Sequence, residues 1–124
     1  MLVCDGIKKE AIGLPYRILA ETEDVLCIGL FGEIDHHTAA PLREGIDAEA
    51  LRRLPRLLIL DFGGVTFMDS SGIGLVMGRC RLLETFGGRV ELANVPAPLK
   101  KVMRLAGLER LVRFSQRREE HETV

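Results

Sequence analysis

Tryptophan is absent from this 124-residue chain, tyrosine occurs once, and aromatic residues make up only 5% of it. So few rings leave little material for a platform on which bases could stack. An excess of either charge is also lacking: 17 Lys and Arg face 18 Asp and Glu, for a formal net charge of −1. A balanced surface leaves no electrostatic footprint for nucleic acid or anionic lipid. Neither is therefore expected as a partner. Cysteines number three, Cys4, Cys27 and Cys80. An odd set without close spacing indicates neither a disulfide framework nor a zinc site. Long apolar runs are missing too. The opening MLVCDGIKKEAIGL reaches charge at Asp5, so neither a signal peptide nor a membrane-spanning helix is expected, and the reducing cytoplasm is the expected compartment.

What remains is a chain of one domain's length, 47% hydrophobic and 28% charged, which fits a soluble globular protein. Residues 1–14 lack periodicity and read as an N-terminal extension. Residues 15–115 carry the domain, and 116–124 form a charged C-terminal tail. Within the domain, Tyr16–Ala20 reads as an edge strand and Val25–Gly32 as a stronger one, joined as a hairpin. From Thr38 to Arg53 the period becomes helical, with Leu42, Ile46, Ala50 and Leu54 at steps of four, and Pro55 ends it. Leu57–Leu60 is an unbroken apolar run, the pattern of a strand covered on both faces. A loop from Asp61 to Asp69 is expected next, then a helix from about Ser71 to Thr85 with Ile73, Val76, Met77, Cys80 and Leu82 or Leu83 as its apolar stripe. Val90 and Leu92 mark a strand. Ala97–Ala106 reads as a helix closed by a left-handed Gly107 with Leu108 beside it, and Leu111–Phe114 as a last strand. The order β-β-α-β-α-β-α-β implies an α/β fold, a mixed sheet with helices packed on it.

The segment Phe67-Met68-Asp69-Ser70-Ser71-Gly72-Ile73-Gly74 separates the buried strand from the second helix. Short polar side chains just before an apolar stripe are a helix-start signal, because they accept the first free N–H groups. The start of a helix carries partial positive charge and favours an anion. A phosphoryl group on Ser70 would add about −1.5 to −2 charges there without unfolding the helix. The same chemistry equally describes two unmodified serine caps, and on that ground alone the capping role is the simpler one.

Two stretches, Gly32-Glu33-Ile34-Asp35-His36-His37-Thr38 and Phe67 to Gly74, resemble the signature segments of bacterial anti-sigma factor antagonists, sporulation-type members of the STAS domain family. Val25–Ile28, Gly87-Gly88 and Gly107-Leu108 extend the resemblance over roughly residues 25–114. The resemblance implies a regulatory binding protein that is no enzyme and needs no cofactor. It further implies that Ser70 is phosphorylated by an anti-sigma factor that is itself a serine kinase. The unphosphorylated form would bind that kinase and free the sigma factor, and a phosphatase would restore it. Asp35, Asp69, Ser71 and Gly72 then surround the phosphorylation site. Gly74, Leu75, Gly78 and Leu82 are the expected partner-binding residues, with Leu75 and Leu82 off the apolar stripe and expected to be exposed.

Other readings are weaker. An interaction module of the same fold in another signalling complex keeps the sites and changes the partner. Gly72-Ile73-Gly74-Leu75-Val76-Met77-Gly78 superficially resembles a dinucleotide fingerprint, but that motif needs a tight strand-to-helix turn. Gly74 and Gly78 more simply keep a helix face small for close approach by a partner or the sheet. Neither serine fits the nucleophile-elbow pattern, and His36 and His37 lack a third ligand at metal-binding spacing. Cys27, Cys80, Met77 and Met103 are expected in the core.

Overall fold

The computed structural model describes residues 16–116. The proposed extension 1–14 and all but the first residue of the tail lie outside the described residues. Strands β1 (Tyr16–Glu21), β2 (Val25–Ile34), β3 (Leu57–Met68), β4 (Arg89–Ala93) and β5 (Arg113–Ser115) form one sheet in the order β1-β2-β3-β4-β5. Helices α1 (His36–Arg53), α2 (Ser70–Glu84) and α3 (Ala97–Leu105) connect the parallel strands, and a short 3-10 helix (Leu108–Arg110) precedes β5. The element order is the expected one. Only β1 and β2 pair antiparallel, through a turn in which Thr22 Oγ1 accepts from the backbone of Asp24 and Val25.

Because every parallel crossover steps one strand in the same direction, right-handed connections place all three helices on one face. That face holds the main core. Leu26, Ile28 and Leu30 of β2, Leu58, Leu60 and Phe62 of β3, and Val90 and Leu92 of β4 meet Leu42, Ile46 and Ala50 of α1 and Leu75, Val76, Cys80 and Leu83 of α2. The alternate residues Cys27, Ile59 and Ala93 form a small separate buried cluster on the other face. Residues 58–60 are therefore buried on both sides, as the unbroken run implied. Among the described residues no helix is long and apolar enough to cross a membrane.

Three local expectations change. Leu54, placed by its spacing on the α1 stripe, instead caps that helix in the left-handed region (φ 48°) and is 54% exposed. The proline that follows disfavours helical backbone at this position, so the stripe ends at Ala50. The expected loop 61–69 is mostly strand: β3 continues to Met68, pairing Gly64 with Phe31 and Met68 with Ile34 across two register shifts. Gly63 and Gly64 fall inside the strand rather than ending it. Gly64 instead admits a neighbour, since a Cβ there would lie 2.4 Å from the Phe31 ring.

The third change bears on function. In α2 the buried seam runs through Gly72, Leu75, Val76, Arg79, Cys80 and Leu83, while Ile73, Met77 and Leu82 are half-buried at its margin. Leu75 is 4% exposed, so its expected place on an open surface is corrected. The seam is wider than one stripe because α2 packs on both the sheet and α1. Arg79 is buried at the α1 boundary, with its Nε 2.8 Å from Asp47 Oδ1. This contact is ionic without hydrogen-bond alignment, and burial raises the Asp47 carboxyl pKa and lowers that of Arg79.

Candidate functional site

Parallel strands with helical crossovers put the helix starts together, at the carboxyl ends of the strands. Here β2 and β3 end in register, Ile34 opposite Met68. The Asp69 N–H donates to the Ile34 carbonyl at 3.1 Å. Asp35 and Asp69 are the next residues on each strand, and each caps the helix that follows. The two predicted acids are thus brought to adjacent positions by strand pairing.

At the start of α1, Asp35 Oδ1 accepts from the backbone N–H groups of His37 (2.9 Å) and Thr38 (3.0 Å). Thr38 Oγ1 accepts in turn from the Asp35 N–H at 2.9 Å and donates to the Glu33 carbonyl at 3.0 Å. This reciprocal box satisfies several of the helix's free donors. The Thr38 N–H, more than any other group, holds the Asp35 carboxyl below its ordinary pKa.

The start of α2 is sparser. Asp69 Oδ1 accepts one bond, from the Ser71 N–H at 2.8 Å. The Gly72 N–H turns to the Asp69 carbonyl at 3.0 Å. Ser70 is the first helical residue and is exposed, whereas Ser71 is half-buried. Among the described residues the Ser70 hydroxyl has no hydrogen-bond partner. It is available to accept a phosphoryl group at a helix start, where the free amides and the dipole favour the added charge. Gly72 is buried for a steric reason: a Cβ there would come within 2.2 Å of Met68 Cγ.

Steps of four carry Ser70 to Gly74, Gly78 and Leu82, so these residues form one ridge along α2. Among the described residues, a Cβ at Gly74 or Gly78 would meet no atom within 4 Å. Close approach by the sheet therefore does not explain them. Each glycine costs a helix interior about 1 kcal/mol relative to alanine, and among the described residues no close neighbour requires it at these two positions. Leu82 is half-buried at the far end of the ridge, and Leu75 belongs to the core beneath it.

The site also includes a residue given no role in the sequence reading. Phe67 is 50% exposed at the end of β3, opposite Glu33 and two residues before Asp69. Reading 61–69 as a loop hid it; continued strand alternation beside buried Met68 would have turned it outward. His36 and His37 are exposed on the first turn of α1, their rings 4.1 Å apart. Neither is hydrogen-bonded to Ser70, so the described residues contain no serine–histidine pair. The glycine motif from Gly72 to Gly78 lies wholly within α2 and not in a strand-to-helix turn, which removes the geometry of a dinucleotide loop.

Comparison with known proteins agrees with this arrangement. The STAS domain model matches residues 16–121. The anti-sigma F factor antagonist of Lysinibacillus sphaericus is 41% identical over 93 residues, covering 75% of this chain and 80% of that protein. Among solved structures, the anti-sigma factor antagonist SpoIIAA in its unphosphorylated form superposes with a TM-score of 0.72 at 34% identity, covering 87% of this chain and 92% of that one. The Bacillus cell fate determinant SpoIIAA in the phosphorylated form gives 0.66 at 34% identity, over 87% and 96% of the two chains. The five-strand sheet with its helices on one face is therefore the fold of these proteins, and this chain belongs to the STAS domain family.

Proposed function

We propose that this chain is an anti-sigma factor antagonist controlled by phosphorylation of Ser70. In its unphosphorylated form it binds an anti-sigma factor that is also a serine kinase, and so releases the sigma factor. Phosphorylation of Ser70 ends that binding, and a phosphatase reverses it. The chain is then a substrate and a binding module rather than an enzyme, and it acts in the cytoplasm. The observation that carries the reading is the exposed, unpartnered Ser70 hydroxyl at the first position of α2, directly after the Asp69 cap.

Electrostatics explains how the same residue serves both states. An unmodified serine leaves the ridge of Gly74, Gly78 and Leu82 open to a partner surface. A phosphate adds about −1.5 to −2 charges beside the Asp69 carboxylate, and a partner interface that matched a neutral hydroxyl must then desolvate that charge. The helix itself tolerates the anion, so the change falls on the partner rather than on the fold.

Titration calorimetry with a purified anti-sigma factor serine kinase from the same organism tests the proposal. Ser70→Ala should bind it and remain bound when ATP is added, whereas Ser70→Asp should bind weakly. Equal affinity for the two variants would overturn the switch.

A further inference from the structure

Helix α3 is set into the domain by little of its surface. Of its nine residues only Met103 is buried, with Leu99 half-buried against the core, and no side chain caps its N-terminus. Its outer side is not an ordinary solvated face. Pro98, Val102 and Leu105 fall at i, i+4 and i+7, one stripe of a helix. Val102 is 48% exposed and Leu105 82%, the highest exposure among the large hydrophobic residues described. Single exposed leucines need no explanation. An apolar stripe rimmed by one sign of charge does.

That rim is basic. Ala97, Lys100, Lys101, Arg104 and Leu105 line an open cavity of about 310 Å³. Arg104 has a carboxylate neighbour, Glu109 at 3.5 Å, but both side chains are more than half exposed, which leaves such a pair worth little. Lys100 leans over the Phe114 ring at 5.5 Å. Among the described residues neither lysine has an ion-pair partner. The face thus presents exposed Val102 and Leu105, of which Leu105 lines the cavity, beside cations that the domain leaves largely uncompensated.

We propose that the outer face of α3 is a second docking surface, separate from the Ser70 ridge, which takes an acidic amphipathic helix of a protein partner. Leucine-type side chains of that helix would cover Val102 and Leu105, and its carboxylates would meet Lys100, Lys101 and Arg104. Anchoring by i, i+4 and i+7 residues is the usual mode of helix-in-groove binding, and the charge arrangement would set orientation and encounter rate. The proposal does not depend on Ser70 being phosphorylated.

The test uses the full ¹⁵N-labelled chain and two synthetic helical peptides with leucines at i, i+4 and i+7, one flanked by glutamates and one by lysines. The acidic peptide should bind saturably, more weakly as salt is raised, and shift the amide resonances of α3 while leaving those of Ser70 to Gly74 unmoved. Lys101→Glu with Arg104→Glu should lower its affinity about tenfold or more and confer binding of the basic peptide. Leu105→Ser should weaken binding as well, and all three positions are exposed, so the fold is retained. Equal binding of both peptides by the unsubstituted chain would overturn the proposal. So would shifts centred away from α3, uptake by phosphatidylglycerol vesicles in place of the acidic peptide, or α3 shifts that depend on protein concentration alone.

Discussion

Helices α1 and α2 pack on the same sheet face, follow adjacent strands and each begin with an aspartate cap, yet they use these features differently. Asp35 accepts two backbone bonds and is locked into a reciprocal box with Thr38, whereas Asp69 accepts one bond and leaves the serine after it unpartnered. The glycines divide the same way. A Cβ at Gly45 of α1 would lie 2.3 Å from the Tyr16 ring, so that glycine makes room for the edge strand. Gly74 and Gly78 of α2 face open space. Shared chemistry thus closes one helix start and leaves the other, with its outer ridge, open.

The largest effect on stability should come from beneath that ridge. Leu75→Ala removes a side chain that is 4% exposed and should destabilise the domain by about 2–5 kcal/mol in denaturant unfolding. A loss under 1 kcal/mol would mean that α2 is not held as described. At Gly45, overpacking against Tyr16 costs about 1–3 kcal/mol and the gain in helix propensity returns about 1, so Gly45→Ala should be destabilising by about 1 kcal/mol. Gly74→Ala and Gly78→Ala should have the opposite sign, each stabilising by up to about 1 kcal/mol. Should all three substitutions shift the unfolding midpoint in one direction, the contrast between the helices would fail.

The smallest effect is a pH dependence. Asp35 has its folded pKa below the ordinary value, so its contribution to stability is fully present above about pH 4, the unfolded carboxylate pKa. It is lost as pH falls through the lower folded value. The raised Asp47 carboxyl acts in the other sense: it opposes folding above its folded pKa, and that opposition fades as it protonates. Asp35→Asn should therefore flatten the acid limb of the stability profile, measured by thermal unfolding between about pH 2 and 6. An unchanged acid limb would show that the box does not depend on the charge.

Sequence legibility followed how locally each feature is determined. The element order, the Leu42–Ile46–Ala50 face, the left-handed Gly107 and a helix start within Asp69-Ser70-Ser71 depend on neighbours within one or two turns of chain, and these were readable. The caps themselves are Asp35 and Asp69 rather than the serines. The continuation of β3 to Met68 depends on pairing with β2, which no local reading of residues 61–69 contains. Leu75 was misplaced because it falls off the single apolar stripe that the period marks; its burial follows from α2 packing on both the sheet and α1. Phe67 was missed through the same misread loop. At the site, local chemistry explained why Ser70 could carry an anion but not whether it does, and the preference for Ser70 over Ser71 came from the family resemblance. The structure adds a physical difference between the two: one is exposed and unpartnered, while the other is half-buried and donates its N–H to Asp69.

The central claim is tested most directly by incubating the full chain with its anti-sigma factor kinase and ATP, then mapping phosphate by mass spectrometry. Phosphate on Ser70 alone, and none on Ser70→Ala, is the predicted result. Phosphate on Ser71 or Thr38 with Ser70 unmodified would contradict it, because the open helix start would then not be the one that the kinase reads.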